Sequence, residues 1–421
     1  MKREKAELLD GPAGGGGGEG ESVNSKVLGL ERRVLRRMLT ALGEPPLTVV
    51  LWDGQQIAPS DGAPVARVHI RDRAMLYRLV SNPDVEFGEG YSTGRIEVEG
   101  DLAECLEQVY RALRRGRRGG IKSWLPDRMA QPRRNTLSRA RDNIHHHYDI
   151  GNDFYRLWLD GQMVYTCAYF PNPEMSLEEA QTAKLDHVSR KLRLRPGERV
   201  VEAGCGWGAL ALHMARHYGV RVTAYNISRE QLAYARERAR AEGLEDRVEF
   251  VEGDYREISG QYDAFVSVGM LEHVGPACYE QLGAVIDRCL TPDGRGLIHT
   301  IGRDRPGMMS PWIEKRIFPG AHPPSLGEMM GIFEPVGLSV TDVENLRLHY
   351  ALTLEHWLER YRAAEERVRK MFDETFTRTW RLYLAGSIAA FNSGDLQLFQ
   401  VCFYRTGDPN VPWSRDFLYR V

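Results

Sequence analysis

The sequence lacks long apolar runs, clustered cysteines and a strong net charge, and each of these absences excludes a class of protein. No stretch of the 421 residues approaches the roughly 18 consecutive apolar residues that a membrane-spanning helix needs. The six cysteines are scattered without a CxxC pair, which favours free thiols in a reducing compartment. A formal net charge of −2 gives the whole chain no attraction to polyanions. The N-terminus carries charge and glycine but no apolar segment, so we expect no signal peptide and a cytoplasmic protein.

Composition divides the chain into four parts. Glycine and charge dominate residues 1–24, which predicts a disordered tail. An amphipathic helix, the strands LTVVLWDG and ARVHIRD, and a closing helix predict a small α+β domain over residues 25–113. Residues 114–141 are basic and broken by proline and glycine, which predicts a linker. Residues 142–421 are long enough for one large domain.

Predicted strands and helices alternate along this large domain. The predicted strands are RVVEAG (199–204), RVTAYN (221–226), VEFVEGD (248–254), YDAFVSVGM (262–270), RGLIHTIG (295–302), LSVTDVENL and LQLFQVCFYR. Helices follow the first two strands, and Ser228 is the predicted N-cap of the second helix. The alternation predicts a doubly wound, mostly parallel, seven-stranded α/β sheet. A long helical insertion is predicted from Thr353 to about Ala390, before the last strand.

The first strand of the large domain runs into a tight glycine turn, where a cofactor could approach the backbone closely. Gly204, Gly206 and Ala209 formally satisfy the dinucleotide pattern GxGxx[GA]. A nicotinamide enzyme also needs an acidic residue near the end of the next strand to hold the ribose, and Asn226 stands there instead. The dinucleotide interpretation is therefore weakened.

S-adenosylmethionine fits the residues around the turn better. A methyltransferase of this kind is expected to carry an acidic residue two positions before the first glycine, and Glu202 stands there. It should also carry an acid after the third strand, placed for the adenine amino group, and Gly253 and Asp254 match. These companions favour S-adenosylmethionine as the cofactor.

Six stretches, in this order, resemble the cyclopropane fatty acid synthase family. They are HYDIGNDFYRLWLDGQMVYTCAYF, VEAGCGWGALALHMA, NISREQ, SVGMLEHVG, LIHTIG and SPWIEKRIFPG, and the resemblance covers residues 140 to 405. The small N-terminal domain is similar to that of the bacterial phospholipid branch. The resemblance implies a class I methyltransferase with a Rossmann-like sheet. It implies transfer of a methylene from S-adenosylmethionine to the cis double bond of unsaturated phospholipid acyl chains, with ring closure and bound bicarbonate as the base.

The resemblance also implies which residues form the site. The bicarbonate ligands would be Cys167, Glu272, His299, the backbone of Ile301, and Tyr350. The cofactor-binding residues would be Tyr148, Glu202, Gly204, Gly206, Asn226, Gln231, Asp254 and Tyr255. The family often has threonine at the position of Asn226, and asparagine can still donate to a ribose hydroxyl. No metal is expected, because three consecutive histidines (145–147) cannot converge on one ion.

The chemistry of the reaction explains these residue types. An alkene is a weak nucleophile, so the sulfonium must lie within attack distance in a water-poor site. Methyl transfer leaves a carbocation, which aromatic faces stabilise. The candidates for that role are Tyr165, Tyr169, Phe170, Trp312 and Phe318. Ring closure then removes a proton from the new methyl, and an anion positioned by hydrogen bonds can accept it. Glu272 would bond to the protonated oxygen of that anion, while the other ligands donate to it.

The segment 111–141 holds eleven lysines and arginines against one aspartate. It is either a solvated linker or a docking site for anionic lipid headgroups, where each cation contributes about 1 kcal/mol. Trp124 and Leu125 would suit the membrane interface, and no nucleic-acid motif accompanies the charge. We therefore expect peripheral association with the inner face of the membrane and no nucleic-acid partner. A homodimer is implied by the resemblance alone.

Three other functions stay open at this point. One is a methyltransferase that leaves a methyl or methylene branch on the acyl chain without closing a ring. Another is a small-molecule methyltransferase acting on oxygen or nitrogen, which would not need Cys167, His299 and Tyr350 together. The last is a non-catalytic lipid-binding module, against which the intact cofactor and base motifs argue.

Overall fold

The computed structural model describes residues 19–58, 63–118 and 150–419 of the chain. Within these ranges it contains a four-stranded sheet near the N-terminus and a seven-stranded sheet in the large domain. No helix of the described residues is long and apolar enough to cross a membrane.

The N-terminal unit is the expected small α+β domain. Its helices are α1 (Glu19–Ala41), α2 (Arg73–Ser81), α3 (Pro83–Ser92) and α4 (Leu102–Arg118). Its strands are β1 (Leu47–Val50), β2 (Gln56–Ile57), β3 (Ala66–Ile70) and β4 (Ile96–Glu99), in the order β2-β1-β3-β4. The pair β1–β3 is parallel and the other two pairs are antiparallel. The sequence predicted helices α1 and α4 and strands β1 and β3. It did not predict the other elements of this unit.

Two boundaries of the N-terminal unit differ from the prediction. Helix α1 begins at Glu19, so residues 19–24 are helical rather than part of a disordered tail. Helix α4 continues to Arg118 and takes up the first residues of the predicted linker. Once an amphipathic segment has formed its first turn, each further residue adds a hydrogen bond, and arginine is a good helix former. Both helices therefore extend beyond their apolar cores.

The large domain contains all seven predicted strands. They are β5 (Arg199–Ala203), β6 (Arg221–Asn226), β7 (Val248–Glu252), β8 (Tyr262–Val268), β9 (Leu290–Gly302), β10 (Leu338–Asn345) and β11 (Gln397–Arg405). Their order is β10-β11-β9-β8-β5-β6-β7. Only β11 runs antiparallel to its neighbours. The predicted doubly wound, mostly parallel sheet is thus confirmed.

Nine α-helices of the described part of the large domain surround this sheet. They are α5 (Asn152–Tyr155), α6 (Leu177–Lys191), α7 (Ala209–Tyr218), α8 (Arg229–Ala241), α9 (Tyr279–Cys289), α10 (Pro311–Arg316), α11 (Leu326–Phe333), α12 (Arg347–Met371) and α13 (Glu374–Ser393). Ser228 caps α8 as predicted, because its side chain accepts from the backbone N–H of Gln231. The predicted helical insertion consists of α12 and α13, which pack against each other.

The N-terminal unit packs on the helical insertion and on α10. Arg378 of α13 donates to the backbone carbonyls of Tyr91 and Ile96, at 2.6 and 3.1 Å. Glu89 of α3 accepts both side-chain hydrogen bonds of Arg316, the last residue of α10. The N-terminal unit thus supports the helical insertion and α10.

Candidate active site

A cleft opens at the carboxyl ends of β5, β6, β7 and β8, where ligands bind in open α/β sheets. Its lining residues are Gly204, Tyr225, Asn226, Ile227, Gly253, Asp254, Tyr255, Arg256, Met270, His273 and Val274. Four of the predicted cofactor residues, Gly204, Asn226, Asp254 and Tyr255, are therefore part of its wall. Tyr148 lies outside the described residues.

Two glycines of the turn at the cleft floor have a positive φ angle and close packing, and both features favour glycine. Gly204 has a φ of +84°, and an added Cβ would lie 3.0 Å from the Cβ of Met270. Gly208 has a φ of +83°, and an added Cβ would lie 2.7 Å from the ring of Phe250. The first glycine lets the backbone turn at the cleft, and the other lets α7 approach the sheet closely.

Asn226 holds this turn in place from the end of β6. Its Nδ2 donates to the carbonyl of Gly206 at 3.1 Å and to Oε1 of Gln231 at 2.8 Å. Its Oδ1 accepts from the backbone N–H of Ile227 at 2.8 Å. The amide groups expected to face a ribose thus form hydrogen bonds within the protein. Through these bonds, Asn226 and Gln231 connect the glycine turn to α8.

The acid after β7 is also engaged with a neighbouring side chain. Asp254 accepts from Nε of Arg256 at 2.6 Å and from Nη2 at 2.9 Å. This bidentate ion pair is almost fully shielded on the carboxylate side. Arg256 lines the same cleft. It therefore orients the carboxylate that was predicted to meet the adenine amino group.

Glu202 lies beneath the turn rather than in the cleft wall. It is buried, and its Oε2 has no hydrogen-bond partner among the described residues. Burial raises the pKa of Glu202 to about 8, against the opposing effect of the Lys184 ammonium. Lys184 is itself buried, and its ammonium donates to Oγ1 of Thr166 at 3.0 Å. These two groups form a buried titratable pair under the cofactor cleft.

Glu272 lies just beyond the cleft, between two of its lining residues. It belongs to a short 3-10 helix that follows β8. Its Oε1 accepts from the backbone N–H of Ile301 at 2.6 Å, and its buried Oε2 has no hydrogen-bond partner in the described part of the chain. Burial raises the pKa of Glu272 to about 7. The Ile301 amide, expected to donate to the anion, thus donates to Glu272 in this structure.

His299 lies on β9, two residues before Ile301, and is also buried. Its Nδ1 is 3.1 Å from Nε2 of Gln400 on β11. Its Nε2 has no partner within the residues that the structure describes. Burial lowers the pKa of His299 well below its ordinary value, and the nearby lysine charges act in the same direction. The imidazole is therefore neutral.

The Cys167 thiol and the backbone N–H of Tyr350 approach the same carbonyl at the start of α12. The Cys167 thiol is fully buried and donates to the carbonyl of Ala168 at 3.1 Å, with Leu346 O at 4.0 Å. Burial raises the pKa of this thiol well above its ordinary value. Tyr350 donates its backbone N–H to the same Leu346 carbonyl at 3.2 Å. The thiol is therefore a neutral, weak donor rather than a nucleophile.

An aromatic cluster covers this site from the side of the helical insertion. The hydroxyls of Tyr165 and Tyr383 are 2.9 Å apart. Tyr165 packs on Trp158 and Trp357 with ring centroids 5.3 Å away, and Phe318 packs edge-on against Tyr383 at 5.6 Å. The cluster gives Tyr165 and Phe318, both predicted to stabilise a cation, a largely apolar surrounding.

The other three aromatic candidates belong to the same hydrophobic core but make different contacts. Tyr169 stacks on His187 with ring centroids 4.1 Å apart, and Phe170 stacks on His356 at 5.6 Å. The indole of Trp312 packs against Gly88 of the N-terminal unit, where an added Cβ would lie 2.4 Å from the ring. These three side chains contact histidines or the N-terminal unit. These individual contacts could not be predicted, because spacing along the chain does not reveal the direction of a side chain.

Sequence reasoning missed Gln400 and Tyr383. Both belong to predicted elements, but neither lies in a recognised motif. The one available signal for Gln400 was its polar side chain in the apolar run LQLFQVCF of a buried strand. A buried polar residue in such a run indicates a hydrogen-bond partner.

Two known families match the chain. Mycolic acid cyclopropane synthetases match residues 135–401, and a domain of unknown function matches residues 34–115. A cyclopropane-fatty-acyl-phospholipid synthase of Escherichia coli (strain K12) is 38% identical over 355 residues, covering 82% of this chain and 89% of that protein. A probable fatty acid methyltransferase of Pseudomonas putida is 37% identical over 388 residues, covering 89% of this chain and 96% of that protein.

A solved structure supports the same relationship. A mycolic acid cyclopropane synthase complexed with SAH and CTAB superposes with a TM-score of 0.60 at 30% identity. The superposition covers 63% of this chain and 98% of that synthase. The chain belongs to the mycolic acid cyclopropane synthetase family and is an S-adenosylmethionine-dependent methyltransferase.

Proposed function

We propose that this methyltransferase transfers a methylene to the cis double bond of unsaturated acyl chains in membrane phospholipids. The product is a cyclopropane fatty acid, and bound bicarbonate serves as the base. The observation that carries the proposal is a pair of buried, unpartnered polar atoms in the described structure, Glu272 Oε2 and His299 Nε2. Glu272 follows β8, and His299 lies on the neighbouring strand β9, beside the cofactor cleft. Buried polar atoms without partners are costly, which favours a ligand between them.

The donor and acceptor capacities of these groups fit bicarbonate. Ionised Glu272 only accepts hydrogen bonds, so its free oxygen can hold a protonated oxygen of the ligand. Neutral His299 offers one donor or acceptor at Nε2, and the Cys167 thiol offers a weak donor. Bicarbonate would supply a base for the proton of the newly added methyl. Glu272 would orient it and would have to be ionised to do so.

The residues around the site would protect a carbocation from water. Tyr165, Trp158 and Trp357 present ring faces and edges to one another, and both tryptophans are buried. Aromatic faces attract cations, and exclusion of water prevents trapping of the cation as an alcohol. The aromatic cluster thus favours chemistry at carbon over transfer to oxygen or nitrogen.

Docking to an anionic membrane surface is part of the proposal. Most of the basic segment 111–141 lies outside the described residues, but its start belongs to α4. Arg114 of α4 donates to the carbonyl of Ser393 and pairs with Asp304. Exposed Met308 follows Asp304 in the same loop. Arg114 is thus engaged within the protein, and the docking proposal rests on the eleven basic residues of the whole segment 111–141.

The second candidate function is branching of the same acyl chains without ring closure. It is favoured by the similarity to the probable fatty acid methyltransferase of Pseudomonas putida, which is nearly as high as that to the cyclopropane synthase. The two reactions share the cofactor and the cation, and they differ in which proton leaves. The small-molecule methyltransferase and the lipid-binding module have no such support.

Product analysis tests the proposal. The purified protein would be incubated with S-adenosylmethionine and unsaturated phospholipid vesicles, and the released acyl chains analysed by mass spectrometry and proton NMR. We expect one added CH₂ per modified chain and high-field ring-methylene signals. Glu272→Gln should remove the product, whereas Glu280→Gln, an exposed residue of α9, should not. Light scattering of the purified protein without vesicles tests the implied homodimer.

A further inference from the structure

Three polar side chains form a row across three neighbouring strands of the large sheet. The register pairs His299 of β9 with Gln400 of β11, and Gln400 with Glu344 of β10. Directly paired residues of antiparallel strands point to the same face. Gln400 is fully buried in the middle of this row, and its Nε2 is 3.1 Å from Nδ1 of His299.

Glu344 does not compete for the Gln400 amide. Nζ of Lys191, on α6, forms an ion pair with Oε2 of Glu344 at 2.7 Å, and Nε2 of His187 lies at the same distance from that oxygen. Burial alone would raise the pKa of Glu344, but these two partners outweigh it and lower the pKa to about 2. Glu344 therefore carries a fixed charge that is paired with two residues of α6, and the hydrogen bond of Gln400 goes to His299.

A buried glutamine at position 400 lowers the free energy of unfolding, so its hydrogen bond with His299 should have a function. Its Oε1 is buried without a hydrogen-bond partner in the described structure. An unpartnered buried carbonyl costs about 1–3 kcal/mol, and an apolar side chain of the same length would avoid that cost. We therefore assign the main role of Gln400 to its hydrogen bond with the His299 ring and not to the stability of the fold.

The ring of His299 carries a single proton because the imidazole is neutral. When Nε2 of Gln400 donates to Nδ1, that proton must be on Nε2 of the ring. We infer that Gln400 is a positioning residue, which fixes His299 as the Nε2–H tautomer and aims this donor at the ligand of Glu272. The identity of that ligand rests on the proposed function; the tautomer does not.

The tautomer can be measured without any substrate. In protein labelled with ¹⁵N-histidine, His299 is assigned as the signal that is lost in His299→Gln. We expect a pyrrole-type shift for Nε2 and a pyridine-type shift for Nδ1. In Gln400→Met both nitrogens should move toward averaged shifts. A pyrrole-type Nδ1 in the wild-type protein would overturn the inference, even if the enzyme forms cyclopropane rings.

Kinetics separate positioning from a merely structural role. In metal sites, loss of a residue that orients a ligating histidine lowers metal affinity or activity by about 10- to 100-fold. We expect Gln400→Met to lower kcat by a similar factor. The KM for S-adenosylmethionine should stay unchanged. Gln397→Met is the matched control, because Gln397 is a buried glutamine of the same strand that points to the opposite face and bonds to Asn345. An equal loss of kcat in both variants, or none in Gln400→Met, would contradict the inference.

Discussion

Replacing Glu272 with glutamine should abolish activity and yet stabilise the protein at alkaline pH. The reason is the cost of keeping a buried carboxylate ionised. Its pKa is raised from 4.5 to about 7, so the folded state binds the proton more tightly than the unfolded state. This group therefore destabilises the fold increasingly as the pH rises from 4.5 through 7. Full ionisation costs about 3 kcal/mol, at about 1.4 kcal/mol for each tenfold difference in proton affinity.

The amide introduced by Glu272→Gln does not titrate, so the pH-dependent part of this cost disappears in the variant. The new carbonyl oxygen can still accept from the Ile301 amide, which is 2.6 Å from Oε1 in the wild type. Any penalty from the new NH₂ group is the same at every pH and cancels in a comparison of two pH values. Between pH 5.5 and pH 8, the variant should gain about 2 kcal/mol relative to the wild type.

Urea unfolding of both proteins at the two pH values measures this gain. Glu280→Gln, which removes an exposed carboxylate nearby in sequence, should follow the wild type. A stability difference between Glu272→Gln and wild type that is equal at pH 5.5 and pH 8 would refute the reasoning. It would mean that Glu272 is not held in a water-poor environment.

Three further predictions concern the cofactor, the domain contact and the membrane. Asn226→Ala removes two hydrogen bonds, one to the Gly206 carbonyl and one to Gln231 of α8. Calorimetry should therefore show that the Kd for S-adenosylmethionine rises by about 10-fold or more. An unchanged Kd would contradict this role of Asn226. Gly88→Ala places a methyl group against the Trp312 indole and should destabilise the fold by about 1–3 kcal/mol in chemical denaturation, whereas Gly29→Ala, in a helix with open space around it, should not destabilise it. In sedimentation assays the protein should bind anionic vesicles more strongly than neutral ones, and less strongly at high salt; equal binding would argue against the basic docking surface.

The fold of the large domain could be predicted from the sequence because its strands are short apolar runs that end in glycine or polar turns. RVVEAG and YDAFVSVGM show this pattern, and both form central strands. In the N-terminal unit, α2 and α3 lie between strands of the same sheet and are only 9 and 10 residues long, which is too short to show several turns of a helical period. Local patterning therefore revealed the strands of the large sheet better than these short helices.

The site could be predicted only in part, because its contacts depend on register and direction. The motif residues Glu272 and Ile301 meet as neighbours across the ends of β8 and β9. The bond between Gln400 and His299 joins strands about a hundred residues apart in the chain, and only the order of the sheet brings them together. The direction of Trp312 likewise follows from the packing of α3 on α10, which no spacing in the sequence encodes.

The most direct test of the account is the product formed with and without bicarbonate. Unsaturated phospholipid vesicles would be incubated with the protein and S-adenosylmethionine in buffer freed of bicarbonate, and then with bicarbonate restored. We predict high-field ring-methylene signals in the proton NMR spectrum of the acyl chains, formed at a rate that rises when bicarbonate is restored. Branched chains without these signals, or ring formation at a rate independent of bicarbonate, would contradict the proposed role of Glu272 and His299.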